Sequence, residues 1–189
     1  DRVAADGGHV SGNDVLTCYE ELIEEAKLNL DTAFDMLPQA DVIVVPDPYG
    51  GFYSRPAVDG SRPGAFYAGV GGSGEDAYAM PTLAYHETIP GHHLQIALSM
   101  EMEGLPALQR SSLFLAYVEG WALYAENLAY ELDWYADDPY GLLGYLQAQA
   151  FRAARLVVDT GLHNEKWTFD RAQQFFTENT GFEAGDSVN

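Results

Sequence analysis

Histidine and glutamate concentrate in one short segment of the chain, YHETIPGHHLQ, at residues 85–95. Three of the five histidines, His86, His92 and His93, lie there, and Glu87 directly follows the first of them. Neutral imidazoles are common zinc ligands, and a catalytic zinc takes three protein ligands and leaves one position for water. A carboxylate beside that water acts as a general base. The segment therefore predicts a metal-dependent hydrolytic centre with Glu87 as its catalytic base.

The spacing of these histidines differs from the HExxH motif, in which two ligands four residues apart share one helix face. Here Pro90 stands at the fourth position, and His92 follows His86 by six residues. On a straight helix that separation is roughly 120° off the face and about 9 Å along the axis. Because Pro90 and Gly91 interrupt a helix, we predict that the chain loops there and returns His92 to His86. His93 is the less favoured second ligand and a candidate either to hydrogen-bond the substrate or to support a ligand.

A third metal ligand is expected from the later segment AYVEGWALYAE, where Glu119 lies among apolar residues. An unpaired carboxylate in such surroundings is costly. Glu126, seven residues further, shares its helix face and is either an alternative ligand or a support for one. Gly120 is predicted to allow close approach of another backbone. The alternative for Glu119 is a buried ion pair with Arg152 or Arg155.

Other side chains are candidates to assist at the same centre. In RAARLVVDTGLH, the residues Arg155, Asp159 and His163 recur every four positions, so they share a helix face. His163 or Tyr124 is a candidate to stabilise an oxyanion, and Arg155 to hold a substrate carboxylate. Intrahelical ion pairs explain the same pattern almost as well. Tyr67, in the glycine-flanked strand GAFYAGV, is a candidate to contact substrate, and that strand could pair with an extended peptide.

The periodicity of apolar residues predicts a mainly helical (α+β) protein with a small antiparallel sheet of two or three strands. Helices are expected over 13–37, 81–89, 92–103, 111–134, 138–163 and 169–179. Two β-rich runs bounded by glycine or proline, 40–47 and 64–70, are the expected strands, joined by a long connection. Thr168 is the predicted cap of the last helix, and Gly181 its end.

Composition limits the class of protein. The chain has 189 residues, enough for a single domain with a core. With 29 acidic and 9 basic residues its formal net charge is −20, which disfavours nucleic acids and anionic membranes as partners. The single cysteine, Cys18, excludes an internal disulfide and a cysteine-rich metal cluster. No membrane-spanning stretch or secretory signal opens the chain, so the predicted location is the cytoplasm, with an extracytoplasmic one open if residues precede it.

The three segments HETIPGHHLQ, EGWALYAE and RAARLVVDTGLH together resemble the DUF885 family of bacterial and archaeal proteins, which is grouped with the HExxH zinc metallopeptidases. Its pattern, HExxPGHxxQ, is matched by His86, Glu87, Pro90, Gly91, His92 and Gln95. With SRPGAFYAGV, the resemblance extends over roughly residues 40–167. It implies a zincin-like helical fold with His86, His92 and Glu119 as metal ligands and Glu87 as base. Family members are longer, so the chain is expected to be a fragment or a short member.

The function expected from the residues and the resemblance is that of a peptidase or carboxypeptidase that acts on short peptides with one zinc ion. Two alternatives use the same residues. The domain could be a non-catalytic or degenerate relative of such enzymes, or it could hydrolyse a non-peptide amide or ester. The sequence indicates neither the oligomeric state nor the end specificity.

The spread of acidic residues along the whole chain favours the solvated surface of a protein from a high-salt cytoplasm over a site that attracts cationic substrates. Salt screens the mutual repulsion of the 29 carboxylates. We therefore expect the melting temperature to rise steadily as KCl is increased to molar concentration, measured by circular dichroism. A sucrose series separates charge screening from general solute exclusion. An unchanged melting temperature in KCl would exclude the high-salt interpretation.

Overall fold

A computed structural model describes residues 7–72, 74–110 and 114–182. Within it the chain forms two compact units, residues 1–142 and 143–189. The expected start of a helix at Ser111 lies outside the described residues. The expectation of a single domain stays a prediction.

Seven α-helices account for most of the described chain. They are α1 (Asp14–Asn29), α2 (Met80–Glu87), α3 (His92–Glu101), α4 (Ala107–Arg110), α5 (Leu115–Glu131), α6 (Pro139–His163) and α7 (Phe169–Thr180). Two single turns of 3₁₀ helix, Leu30–Thr32 and Ala77–Ala79, precede the sheet and α2. The predicted fold class, mainly helical with a small sheet component, is confirmed. None of these helices has the length and apolarity that crossing a bilayer requires.

Five short strands form two small sheets. They are β1 (His9–Val10), β2 (Val42–Asp47), β3 (Phe52–Ser54), β4 (Gly64–Gly69) and β5 (Glu75–Asp76). β1 and β5 pair antiparallel, and the other sheet has the order β2-β4-β3.

The pairing direction of the two predicted strands differs from the expectation. β2 and β4 run parallel, with Val44 opposite Phe66, so antiparallel pairing of 40–47 with 64–70 is wrong. β3, hidden in the turn-rich connection, pairs antiparallel with β4 and occupies its other edge. The connection is long enough to carry the chain back for parallel pairing.

The first helix is shorter than its apolar pattern predicts. α1 ends at Asn29, not near Leu37, and a 3₁₀ turn follows. The Asn29 side chain donates to the Glu25 carbonyl, and the Thr32 hydroxyl donates to the Asn29 carbonyl. Such local side-chain bonds compete with continued helix. At the other end of the chain, the predictions for α7 are confirmed, since Thr168 accepts from the Arg171 amide and Gly181 is left-handed.

The core of the first unit surrounds α2, which contacts α1 and α5. Tyr19 on α1 meets Phe66 on β4 edge to face, and both are fully buried. Every residue of α2 except Leu83 is buried, including His86 and Glu87. A helix buried all round is normally apolar, so two titratable side chains at its end require a specific environment.

The joint between α2 and α3 is set by close backbone contact. The Ile89–Pro90 peptide is cis. The His93 amide donates to the Thr88 carbonyl. At Gly91 a Cβ would lie 1.9 Å from the His86 carbonyl oxygen. The absence of a side chain at Gly91 therefore leaves the room that the His86 carbonyl occupies.

We expect Gly91→Ala to lower the free energy of unfolding by about 2–4 kcal/mol, because the carbonyls of α2 and the start of α3 must separate to admit a methyl group. Urea unfolding followed by tryptophan fluorescence measures the change. Gly120→Ala is the matched control: a Cβ there meets no heavy atom within 4 Å of the described chain, and alanine stabilises a helix interior by about 0.5–1 kcal/mol. Equal effects of the two variants would refute the steric argument.

Candidate metal centre

Three side chains from three helices converge on one point. His86 lies near the end of α2, His92 begins α3, and Glu119 is in the second turn of α5. One potential ligand atom from each lies within 4.8 Å of the others. His86 Nε2 is 3.5 Å from one Glu119 oxygen, and His92 Nε2 is 3.7 Å from the other. The Pro90–Gly91 joint therefore brings the two imidazoles together despite their six-residue spacing.

The donor set fits a small divalent metal ion. Two imidazole nitrogens and a carboxylate form the His₂Glu combination that holds catalytic zinc, with ligand bonds of about 2.0–2.2 Å. Ligand atoms of a tetrahedral zinc then lie roughly 3.3–3.5 Å apart, and the three candidate atoms lie within 4.8 Å of one another, so the side chains would draw closer together around an ion. The rings of His86 and His92 are nearly perpendicular, with centroids 4.8 Å apart, so their nitrogens approach the shared point from different directions.

Glu126 orients the first imidazole. Its carboxylate is fully buried and accepts from His86 Nδ1 at 2.6 Å and from the Thr82 hydroxyl at 3.2 Å. With the proton held on Nδ1, the His86 Nε2 lone pair is left for a metal ion. Of the two roles that the sequence left open for Glu126, the structure gives the supporting one.

Glu119 is less buried than its apolar neighbours suggested. Its side chain is 58% exposed, whereas that of Glu126 is 0% exposed. It pairs with the two imidazoles, which differs from the alternative of a buried ion pair with arginine. Gly120 beside it faces open space among the described residues, so the predicted close approach of another backbone is wrong. The centre is thus open to solvent on the Glu119 side.

His92 is electrostatically suited to be a ligand. Burial, with the neighbouring His86 imidazole, lowers the pKa of His92 to about 4. A neutral imidazole is the form that binds metal. Its other nitrogen, Nδ1, is buried without a hydrogen-bond partner in the described part of the chain, so no competing bond holds the ring elsewhere.

His93 has a different environment. Its Nε2 donates to the Ala40 carbonyl at 3.0 Å, so Nδ1 accepts from the Tyr53 hydroxyl at 2.9 Å. Burial lowers the pKa of His93 to about 4. Both ring nitrogens of His93 have partners inside the protein, and the ligand cluster contains His92 and not His93. The contact of His93 with substrate stays a prediction. His93 connects β3 and the segment before β2 to α3.

Tyr53 is a site residue that the sequence analysis missed. Its ring lies against His92, with centroids 6.5 Å apart and planes 27° apart. It pairs across the sheet with Phe66, which places it on the face directed at the histidines. The three-residue strand β3 is too short for an alternating pattern, so only the aromatic pair in GGFYS was a signal.

Tyr67 lies on the other face of the sheet. Its neighbour across the strands is Phe52, and the two rings stack with centroids 4.7 Å apart. Since successive strand residues point to opposite faces, Tyr67 points away from the face that carries Tyr53. β4 is also the central strand, so pairing of a peptide with GAFYAGV is wrong, as both its edges are occupied.

The remaining predicted residues lie outside the three-ligand cluster or in the second unit. Tyr124 is about 140° around α5 from Glu119 and packs against Trp121. His163 pairs with Asp159 at 3.3 Å within α6, and Arg155 lies over the Phe151 ring. Of these contacts, the pair of His163 with Asp159 is the one that the ion-pair alternative expects. The oxyanion and substrate roles of these residues stay predictions.

Glu87 ends α2 and is 7% exposed. It is close enough to Tyr19 that its charge, after burial and the nearby Glu75, contributes to raising the pKa of that phenol. The predicted base is thus a buried carboxylate directly after a ligand candidate.

Two hydrogen bonds, one from an indole and one from an amide, hold α5 against α3 and the Pro90–Gly91 joint. The Trp121 indole donates to the Pro90 carbonyl at 2.9 Å, and the Gln95 amide donates to the Tyr117 carbonyl at 3.2 Å. Trp121 lies two residues after Glu119, so the first bond fixes the ligand helix to the segment that joins His86 and His92.

Residues 2–189 match the sequence family described as "Bacterial protein of unknown function (DUF885)". None of the proteins with curated descriptions matches the chain. Two solved structures are similar. The "putative lipoprotein" from Colwellia psychrerythraea is 41% identical with a TM-score of 0.86, over 93% of this chain and 31% of that one. A "putative lipoprotein of unknown function" from Shewanella oneidensis is 20% identical, with a TM-score of 0.82 over 98% of this chain and 36% of that one. The chain thus spans about a third of the length of either neighbour.

These neighbours correct the predicted location. Both are described as lipoproteins, a class of membrane-anchored proteins outside the cytoplasm, so the prediction of a cytoplasmic protein is wrong. That prediction relied on the lack of a secretory signal in the opening residues. A sequence that spans about a third of its neighbours' length does not show whether a leader precedes it.

We expect Glu126→Gln to weaken zinc binding about 10–100-fold, because an amide no longer fixes the Nδ1 proton of His86. Competition with a fluorescent chelator measures the affinity. Glu131→Gln, an exposed position on the same helix, is the matched control and should bind like the unmodified chain. Equal affinity in both variants would show that Glu126 does not support a ligand.

Proposed function

The chain belongs to the DUF885 family, and from that premise we propose that it is a zinc-dependent hydrolase that cleaves peptide bonds in short peptides. The convergence of His86, His92 and Glu119 carries the proposal, because three ligand atoms within 4.8 Å form a ready site for one ion. The activity of the longer proteins that contain this segment is part of the same proposal.

The roles of the chain's residues follow from their contacts. His86, His92 and Glu119 would hold the ion, and Glu126 keeps the Nδ1 proton of His86 in place. When bound, zinc supplies polarisation of the scissile carbonyl and acidification of water. Glu87 accepts the proton of the attacking water and passes it to the leaving amine nitrogen, so that the base is restored with each turnover.

The exposure of Glu119 favours a catalytic ion over a structural one. Structural zinc sites are closed by four protein ligands, whereas catalytic sites keep one position for water. Within the described residues the cluster offers three ligands, and its Glu119 side is more than half exposed. This argues against the alternative of a non-catalytic or degenerate domain. Hydrolysis of a non-peptide amide or ester requires the same centre and is separated by substrate.

The setting of the reaction follows from the neighbours and the charge. We place the chain outside the cytoplasm, as the description of both similar structures indicates. Peptides are the proposed partners. The net charge of −20 disfavours nucleic acids.

We expect one zinc per chain after purification without chelator, measured by mass spectrometry of the metal, and loss of that zinc in His86→Ala. In Glu87→Gln the zinc should remain while kcat for peptide hydrolysis falls about 10²–10⁴-fold, because only the general base is removed. Glu131→Gln serves again as the control with unchanged activity.

Unimpaired hydrolysis by Glu87→Gln would remove the assigned base and favour a different mechanism. A zinc-replete chain that cleaves esters but no peptide would support the non-peptide alternative.

A further inference from the structure

The two candidate histidine ligands are held in different ways. Glu126 accepts from His86 Nδ1 at 2.6 Å and so fixes the His86 ring. His92 Nδ1, in contrast, is buried without a hydrogen-bond partner in the described ranges of the chain. Most metal-binding imidazoles are oriented by a hydrogen bond at the nitrogen that does not face the metal. Among the described residues, the orientation of the His92 ring therefore depends on packing.

Rotation of the His92 ring is the freedom that packing has to limit. A histidine ring turns easily about its Cβ–Cγ bond, because the energy wells of that torsion are broad. Two other rings lie against His92. The Tyr53 ring is inclined to it by 27° with centroids 6.5 Å apart, and the His86 ring by 80° with centroids 4.8 Å apart. Because rotation of the His92 ring changes its angle to both neighbours, the two contacts restrict the direction of Nε2.

Tyr53 is fixed at both ends of its side chain. Its backbone lies in β3, where it pairs with the fully buried Phe66 of β4. Its hydroxyl donates to His93 Nδ1 at 2.9 Å, and the His93 ring is held in turn by the Ala40 carbonyl. A Cβ on Gly64 would lie 2.6 Å from both atoms of the Tyr53–His93 bond, so β4 begins directly against it. The Tyr53 ring is therefore held between the sheet and α3.

The hydroxyl hydrogen of Tyr53 is used within the protein. Because His93 Nε2 donates to the Ala40 carbonyl, the neutral imidazole can only accept at Nδ1. Burial raises the pKa of Tyr53 and lowers the pKa of His93 to about 4, so both groups stay neutral near neutral pH. The part of Tyr53 that contacts a candidate metal ligand is thus its ring.

We propose that Tyr53 is a positioning residue for the metal centre: its ring holds the plane of the His92 imidazole and so directs Nε2 to the shared point of the three candidate ligands. This deepens the proposed function and rests on the metal centre assigned there. α3 begins at His92, so Tyr53 contacts the first two residues of that helix, one by ring packing and the other by a hydrogen bond. The sheet thereby supports a centre whose candidate ligands all lie on helices.

The zinc affinity of full-chain variants, measured by competition with a fluorescent chelator, tests this role. Tyr53→Leu removes the ring and should weaken zinc binding about tenfold, as expected when a ligating imidazole loses its support. Tyr53→Phe keeps the ring and its strand pairing and should retain most of the affinity. Tyr67→Leu is the matched control, because it removes a stacked ring from the opposite face of the same sheet, and should bind like the unmodified chain. Equal affinities of the two leucine variants, or equal losses in the two Tyr53 variants, would overturn the proposal.

Bound Co²⁺ separates the orientation of a ligand from general destabilisation. Zinc has a filled d shell, whereas the visible absorption of Co²⁺ depends on the geometry of its ligands. At saturating Co²⁺, Tyr53→Leu should change the position and intensity of this absorption. Tyr53→Phe and Tyr67→Leu should both give the spectrum of the unmodified chain. Circular dichroism checks the folding of each variant, and an unchanged cobalt spectrum in folded Tyr53→Leu would overturn the proposal.

Peptide cleavage separates this proposal from the proposed function. If Tyr53→Leu lowers the zinc affinity and alters the cobalt spectrum but the unmodified chain cleaves no peptide, Tyr53 positions a ligand and the peptidase function fails. If the zinc-loaded unmodified chain cleaves peptides and Tyr53→Leu changes neither measurement, the function stands and the positioning role is overturned. An unmodified chain that binds neither ion overturns both.

Discussion

The close contact of Gly91 with the end of α2 is the constraint on which the site depends. A Cβ at this position would lie 1.9 Å from the His86 carbonyl oxygen and 2.4 Å from that of Tyr85. Without a side chain, the first turn of α3 begins directly against the last turn of α2. Only at that separation can His92 share a point with His86, because six residues along a straight helix would place them about 9 Å apart. The Trp121 bond to Pro90 then ties α5, and with it Glu119, to the same joint.

The chemical centre was predictable because its signals are local. The types and order of His86, Glu87, Pro90, Gly91 and His92 require only the rule that proline and glycine interrupt a helix. The mainly helical class followed from periodicity that extends over many residues. Glu119 was identified because burying an unpaired carboxylate among apolar residues is costly. In the structure, however, the Glu119 side chain is more than half exposed, and the buried carboxylate is that of Glu126.

The remaining features depend on contacts between distant segments. The roles of His93 and Tyr53 come from β3, three residues that pair only because β4 offers an edge. β2 pairs parallel with the other edge of β4, and the opposite orientation of Tyr67 depends on the register of β4 against β3. Neither register nor edge occupancy has a local sequence signal in strands this short. Likewise, the adjacent residues His92 and His93 differ only in what lies beyond the helix, which is Glu119 for one and Ala40 with Tyr53 for the other.

His86 links two carboxylates of the same helix through its opposite ring nitrogens. Glu126 holds Nδ1 at 2.6 Å, and Glu119 lies 3.5 Å from Nε2. Seven residues of helix separate these glutamates by about 10.5 Å along the axis of α5, so their side chains must incline toward one another to reach a single ring. A shift of α5 by one residue would rotate both carboxylates by about 100° and leave a fully buried Glu126 without its partners, which is costly. The buried contact at Glu126 therefore sets the register of α5 against α2, and that register determines where the exposed candidate ligand Glu119 lies.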